Sequence, residues 1–288
     1  MKKFYFLILL ILLSCEDNFI EEKFDSVEIV KTIILPKKIN ETSGLEFYEN
    51  NFITHNDSGD GPYLYVFDEN GNIFKTLDLN NYSNFEIENN DWEDITSDGK
   101  YFYVADVGNN FGNRSDLNII RINKDNNYSV DGIIEIFYAD QETFFPRPVH
   151  KYDAEAVVVV NGQLMLFSKD RLSLNSDLYL IDKFKKEPQR LTSEVSFNVN
   201  SKITGGDYNN ELDLLALVGY RSNGDQYLVL FESFNLENLK ENTFKKYKIP
   251  LERAQIESIK IIDKYTFWVT SEDEGLGNPF MYKLKIKY

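Results

Sequence analysis

Acidic side chains recur in this sequence just where an apolar run is about to begin. "DWEDITSDGKYFYVADVGNN" places Asp91, Glu93 and Asp94 ahead of a strand-like core, "DAEAVVVVNGQLMLFSKD" places Asp153 and Glu155, and "QIESIKIIDKYTFWVTSED" places Glu257. Carboxylates brought close together raise each other's pKa, so a site that gathers them needs compensating positive charge. Two arrangements supply it. A hard cation such as Ca²⁺ takes its oxygen ligands from Asp, Glu, Asn and water. Alternatively, Lys169, Arg221 and Arg114 pair with Glu93, Glu155 and Glu257 as an internal network, of a kind that adds little stability yet is costly to break from one side. His55 in "THNDSG" and His150 in "VHKYDAEA" are the two histidines and bring the side chain that exchanges protons near neutral pH.

Common catalytic signatures are missing. "HNDSGDG" offers His55, Asp57 and Ser58, but residues so close along a strand or tight turn point in alternating directions and cannot form the hydrogen-bond relay of a triad. Counted from Asn56, the twelfth position is Phe67, where an EF-hand requires a bidentate Glu. No G-x-S-x-G elbow, P-loop, H-E-x-x-H or zinc-spaced Cys/His cluster occurs.

Bringing together carboxylates that lie so far apart along the chain calls for a repeating scaffold, and the sequence contains one. "ETSGLEFYENNFITHNDSG" from Glu41, the segments from Asp91 and Asp153, "ITGGDYNNELDLLALVGYR" from Ile203 and the segment from Gln255 share a plan. Each has a short segment, a polar turn, an apolar strand ending in polar residues, and then a third strand such as "YLYVFDENGN" or "DLYLIDKF". The interval, about 50 residues, is that of four-stranded propeller blades. Fourth strands follow as "IFKTLDL", "IIEIFYA", "PQRLTS" and "TFKKYKI", while "SVEIVKTIILP", residues 26 to 36, is a strand without a blade and supplies what the fifth repeat lacks. The expected fold class is all-β: a β-propeller of four-stranded blades, closed by its N-terminal strand. The repeats count five blades. Six is the alternative, because the interval between the second and third repeats is longer, and a β-sandwich is the competing architecture.

Aligned, the repeats put Ser43, Glu93, Glu155, Gly205 and Glu257 at one position, with Asp207 two residues beyond Gly205. The first strand of a blade lines the central channel, and the antiparallel second strand ends at the face where the first begins. Glu93, Glu155, Asp207 and Glu257 are therefore the expected metal ligands. Asn56, Asp57, Asp106, Asn109, Arg114, Lys169, Arg221 and Glu272 are the expected ligand-binding groups of one mouth, and His55 and His150 the candidates for proton transfer. "ADQETFFPRPVHKYD", with Phe144, Phe145, Pro146 and Pro148, reads as an ordered loop over that mouth, where rigid scaffolds often carry binding groups.

A net charge of -16 repels nucleic-acid phosphates and anionic headgroups, so nucleic acid is not an expected partner, whereas a cation or a cationic ligand is. The apolar share, 42%, is ample for one large domain, expected over residues 26–288. Ahead of it, "MKKFYFLILLILLSC" has two lysines and an apolar run from Phe4 to Leu13, the plan of a secretory signal. The run is shorter than the roughly 20 residues that span a bilayer. "LLSC" resembles the lipobox of bacterial lipoproteins, which implies a signal peptide over 1–14, acylation of Cys15 and a lipidated tether over 15–25. Cys15 is the single cysteine, so no disulfide forms within the chain. Glu16 and Asp17 resemble the acidic export tag of some surface lipoproteins. The expected location is the cell envelope, lipid-anchored and extracytoplasmic, at the outer membrane or cell surface.

Taken together, "HNDSG", "DWEDI", "ADVGNN" with Arg114, "DAEAV" with Lys169, "TGGD" with Arg221, and "ESI" with "TSEDEG" resemble a bacterial β-propeller lipoprotein family related to TolB-like propellers and to propellers of the "esterase-like activity of phytase" type. More distantly, the mouth is similar to that of propeller lactonases and paraoxonases, which hold Ca²⁺ in the channel with Glu, Asn and Asp. Two functions are expected to compete. One is a binding or scaffold module whose acidic mouth holds a divalent cation, a polar small molecule, or both; the other is a Ca²⁺-dependent hydrolase of esters, lactones or phosphoesters, with His55 or His150 moving protons.

Overall fold

The computed structural model describes residues 25–251, 254–273, 275 and 277–287. The signal peptide expected over 1–14, Cys15 and nearly all of the tether lie outside the described residues. The chain forms a β-propeller of five four-stranded blades.

Strand β1 (Asp25–Ile34) comes first and is used last. Blade 1 is β2 (Thr42–Tyr48), β3 (Asn51–Asn56), β4 (Tyr63–Phe67) and β5 (Ile73–Asp78). Blade 2 is β6 (Trp92–Ser97), β7 (Tyr101–Asp106), β8 (Asn118–Asn123) and β9 (Ser129–Tyr138). Blade 3 begins with β10 (Ala154–Val160), β11 (Gln163–Ser168) and β12 (Ser176–Ile181). A short β13 (Gln189–Leu191) follows, and then β14 (Val195–Phe197), which completes the blade. Blade 4 is β15 (Lys202–Asn209), β16 (Leu214–Tyr220), β17 (Gln226–Glu232) and β18 (Lys245–Ile249). Blade 5 is β19 (Ile256–Asp263), β20 (Thr266–Ser271) and β21 (Phe280–Ile286), with β1 antiparallel to β21 as its outer strand.

The inner strands are buried on both faces because each blade is wedged between two others; β7 and β10 are buried along their whole length. That is why "YFYVAD" and "AEAVVVV" do not alternate as a half-exposed strand would. Tight hairpins join them. At Asn161-Gly162 both residues take positive φ, 48° and 85°, the pairing that a two-residue turn between twisted strands needs.

The apolar core is divided among the wedges. One cluster of buried side chains packs between each adjacent pair of blades, for example Tyr103, Ile119, Val157 and Leu166 between blades 2 and 3, and Phe167, Leu178, Leu217 and Phe231 between blades 3 and 4. The seam between blades 5 and 1 combines Ile33 and Leu35 from the N-terminal segment with Phe52, Phe67, Trp268 and Met281.

"PQRLTS" does not serve as the outer strand of blade 3. Gln189–Leu191 runs parallel to β9 on the outer edge of blade 2, where it covers backbone groups that would otherwise be exposed. The Gln189 side chain bonds both the N–H and the carbonyl of Asp182, and Arg190 donates to Ala139 O at 2.7 Å. These local bonds hold the segment away from β12 until Val195–Phe197 takes that edge.

Leu35 is fully buried in the closing seam and its N–H donates to Pro279 O at 2.9 Å. Leu35→Ala is expected to cost about 2–5 kcal/mol, read as a lower urea midpoint. A loss below about 1 kcal/mol would count against closure through this seam.

Candidate functional site

Every blade slips register at the start of its innermost strand. The shifts fall between Trp92 and Asp94, Ala154 and Ala156, Ile203 and Gly205, Ile256 and Ser258, and, over a longer interval, Ser43 and Glu46. Such bulges re-aim side chains beside functional sites, and here the extra residues include Glu93, Glu155, Thr204 and Glu257. The blade 4 member of the ring is thus Thr204 and not Gly205, one residue from the position read by sequence alignment. Two hydroxyls bind this level to the next blade: Ser43 Oγ donates to Glu93 O and Thr204 Oγ1 to Ile256 O, both at 2.5 Å. Gly44, at φ +72°, lies so close to blade 2 that a Cβ there would sit 2.7 Å from Ile95 N.

The bulges bring carboxylates from four blades together. Oxygens of Glu41, Asp57 and Glu272, of Asp57, Asp91 and Glu93, and of Glu93, Asp153 and Glu155 lie within 4.8 Å of one another in each set. On the blade 3 side they are compensated. The Lys169 ammonium holds both oxygens of Glu155, while Arg171 reaches Asp153 at 2.8 Å and Glu155 at 3.7 Å. Asn109 N also donates to Asp153 at 2.8 Å, and Arg114 pairs with Asp106 at 2.8 Å. Asp57, Asp91 and Glu93 form no ion pair with a described residue, and Asp57 Oδ1 is buried without a hydrogen-bond partner.

Electrostatics follow this split. Burial, then the neighbouring Asp91, Glu272 and Glu155, raise Asp57 to about 9. Burial, with Glu155, Asp57 and Asp91 around it, holds Glu93 well above the carboxylate range. Glu155 is also raised by burial, but Lys169 limits it to about 7. Burial opposes the charge on Lys169, yet Glu155 and Glu257 keep its pKa well above the ordinary value. Glu257 accepts from Gln255 and is raised by burial and by Glu272.

Other expected site residues lie elsewhere. Asp207 is bound to Lys260 at 2.8 Å and accepts from Ile261 N at 2.8 Å, and the same Lys260 reaches Glu46 at 2.5 Å. This cluster joins blades 4, 5 and 1 at a different level of the channel from the Glu93 sets. Arg221 turns to Asn200 O at 2.8 Å and lies over the Tyr227 ring. The Asn56 amide bonds Lys38 O and Asp60, and Asn109 caps its own loop through Arg114 N and Tyr152 O. His55 is fully buried against Trp92, its Nε2 without a partner, and burial lowers its pKa to about 4. His150 is buried, with one ring nitrogen facing Asn110 O at 3.2 Å and the other accepting from Tyr152 N at 3.0 Å. The "FFPRPVH" loop is tied to blade 2 by Gln141 to Gly112 O and Arg147 N to Phe111 O, both at 2.8 Å, leaving Phe145 79% exposed.

Sequence reading passed over Asp91, Asp153 and Arg171 as site residues. The signal was available: Asp91 and Asp153 each stand two residues before the bulged glutamate, as D-W-E and D-A-E.

No family model matches the chain, and no curated protein matches it. Among solved structures it is similar to one from Thermus thermophilus named as an oxidoreductase (glucose dehydrogenase), at 9% identity over 90% of this chain and 99% of that one, with a TM-score of 0.47. At that identity and score the likeness carries no chemistry to this mouth.

Asp57 is protonated when folded and ionised when unfolded between its ordinary 3.8 and about 9, so folding takes up a proton in that window and stability falls as pH rises. In chelator, the urea midpoint is expected to drop from about pH 5 to about pH 8. Asp57→Asn should make this slope shallower, Glu93, Glu155 and Glu257 supplying the rest; an unchanged slope would show that Asp57 does not contribute to it.

Proposed function

We propose that this protein is a binding module whose acidic channel mouth holds a hard divalent cation, Ca²⁺ by its oxygen chemistry, alone or together with a polar ligand. The observation that carries this reading is the uncompensated set Asp57, Asp91 and Glu93, whose oxygens come within 4.8 Å while Asp57 Oδ1 has no partner. A cation there would replace the protons that hold the set neutral, so its affinity rises with pH. Asp57, Asp91 and Glu93 would hold the ion, with Asp153 and Glu155 adjoining and water completing the six to eight oxygens Ca²⁺ takes.

The same reading makes the protein a lipid-anchored, extracytoplasmic component of the cell envelope. It is supported by Lys2, Lys3, the apolar run and Cys15, and by the resemblance of the motifs to a bacterial β-propeller lipoprotein family. Among the described residues no helix is long and apolar enough to cross a membrane. The alternative, a Ca²⁺-dependent hydrolase of esters, lactones or phosphoesters, needs a group that exchanges protons at the mouth. His55 is sealed against Trp92, both ring nitrogens of His150 face backbone atoms, and Glu155, raised to about 7, has both oxygens held by Lys169, so the geometry favours the binding module.

Calcium titrated into the chelator-treated full chain is expected to raise its melting temperature. At a hundred times Kd the stabilisation is about 2.7 kcal/mol. Asp57→Asn and Glu93→Gln should each weaken the effect, and His150→Ala should leave it intact. No melting shift up to millimolar calcium would overturn the metal reading.

A further inference from the structure

The five blades do not contribute alike to the mouth. Backbone bonds join Asp57 N to Glu41 O, Gly108 N to Asp91 O, Lys169 N to Asp153 O and Glu272 N to Gln255 O, and Lys202 pairs with Tyr220 at the matching place in blade 4. The rim position is therefore Glu41, Asp91, Asp153, Lys202 and Gln255 in blade order. One level deeper it is Ser43, Glu93, Glu155, Thr204 and Glu257. Blade 4 alone has no carboxylate at either level and puts a lysine on the rim.

That lysine is left without a counter-ion. The Lys202 ammonium forms no hydrogen bond or ion pair with a described residue, and it stands 5.3 Å from the centre of the Tyr220 ring. Lys169 stands 5.4 Å from the same ring, but Glu155 holds it. Arg171 uses Nε on Asp153 and Nη2 on Asn110, while its Nη1 and the Tyr220 hydroxyl have no hydrogen-bond partner among the described residues. Burial, then the charges of Arg171 and Lys169, lower the pKa of Lys202. A cation pressed by two others, beside a guanidinium nitrogen and a phenol that are free to donate, forms the kind of donor set that takes an oxyanion.

We infer that the blade 4 side of the mouth is an oxyanion subsite, built from Lys202, Arg171 and Tyr220, that takes the phosphate or carboxylate of a small soluble ligand. It rests on the reading of the mouth as a ligand site and names the ligand's class: a molecule with an anionic group on blade 4 whose neighbouring oxygens approach the carboxylate side, directly or through a cation held there. The inference does not require the metal.

Inorganic phosphate and acetate, titrated by calorimetry into the full chain in chelator and again with calcium, test it. At least one of them is expected to bind in chelator. Lys202→Met should weaken that binding about tenfold or more, and Tyr220→Phe should weaken it less. Neither variant breaks an ion pair, so the urea midpoint without ligand should hold and loss of fold is not the explanation. Preference for phosphate or for acetate identifies the group. Phosphate and acetate that both fail to bind, with or without calcium, would overturn the subsite, as would binding that Lys202→Met leaves unchanged. Calcium binding without Lys202-dependent anion binding leaves the metal reading standing alone; the reverse leaves the subsite standing alone.

Discussion

Five inner strands converging on one axis leave little room between them, and much of the rest of the molecule answers to that crowding. The blades approach closely enough that side chains are dispensed with at Gly44 and Gly205, where a Cβ would come within 2.7 Å and 2.6 Å of the next blade's backbone. Polar groups take the place of apolar filling. Asp94 accepts from its own Ile95 N, from Val157 N in blade 3 and from Gly206 N in blade 4, so a single buried carboxylate joins three blades. Lys260, between Asp207 and Glu46, joins blade 5 to blades 4 and 1, and Ser43 joins blade 1 to blade 2. A buried polar group held by this many partners is costly to disturb from one side, and the apolar clusters between blades add the non-directional part of the cohesion.

The same crowding sets the chemistry of the mouth. Bulges turn Glu93, Glu155 and Glu257 toward a shared space where burial first, and neighbouring carboxyl groups after it, raise each one. Blade 3 answers with Lys169 and Arg171, and blade 2 answers for Asp106 with Arg114. The carboxyl groups left without a cationic partner are Asp57, Asp91 and Glu93, while blade 4 breaks the pattern with Lys202 and Thr204. Cation and internal network are thus not exclusive: the network exists on one side of the opening, and the other side is where an ion is proposed.

Much of the architecture was legible in the residues, because a blade is a local unit and its repeat survives in the order of turns and apolar runs. The closing role of residues 26–36 could be read because a strong strand pattern had no blade of its own. Two features were not legible. "PQRLTS" has the composition of an outer strand, but its destination depends on tertiary bonds from Gln189 and Arg190. The ring position in blade 4 was missed by one residue because a bulge adds a residue without marking the sequence. That shift explains why Asp207, grouped with Glu93 by spacing, pairs with Lys260. Spacing puts Arg221 near the mouth, whereas Arg171, two residues past Lys169, takes the acids; spacing does not say which way a long side chain turns.

The pairing of β1 with β21, which sets Val27 beside Ile286, also orders events in time. Apart from a short parallel contact with β18 at Asp25 and Ser26, β1 has no partner until β21 is in place, and closing so long a loop carries a large entropic cost and slows folding. Until then the incomplete ring presents the open edge of β21 and the uncovered seam around Trp268, which are surfaces that invite pairing with other chains. A chain built this way gains from being kept unfolded until its synthesis is complete.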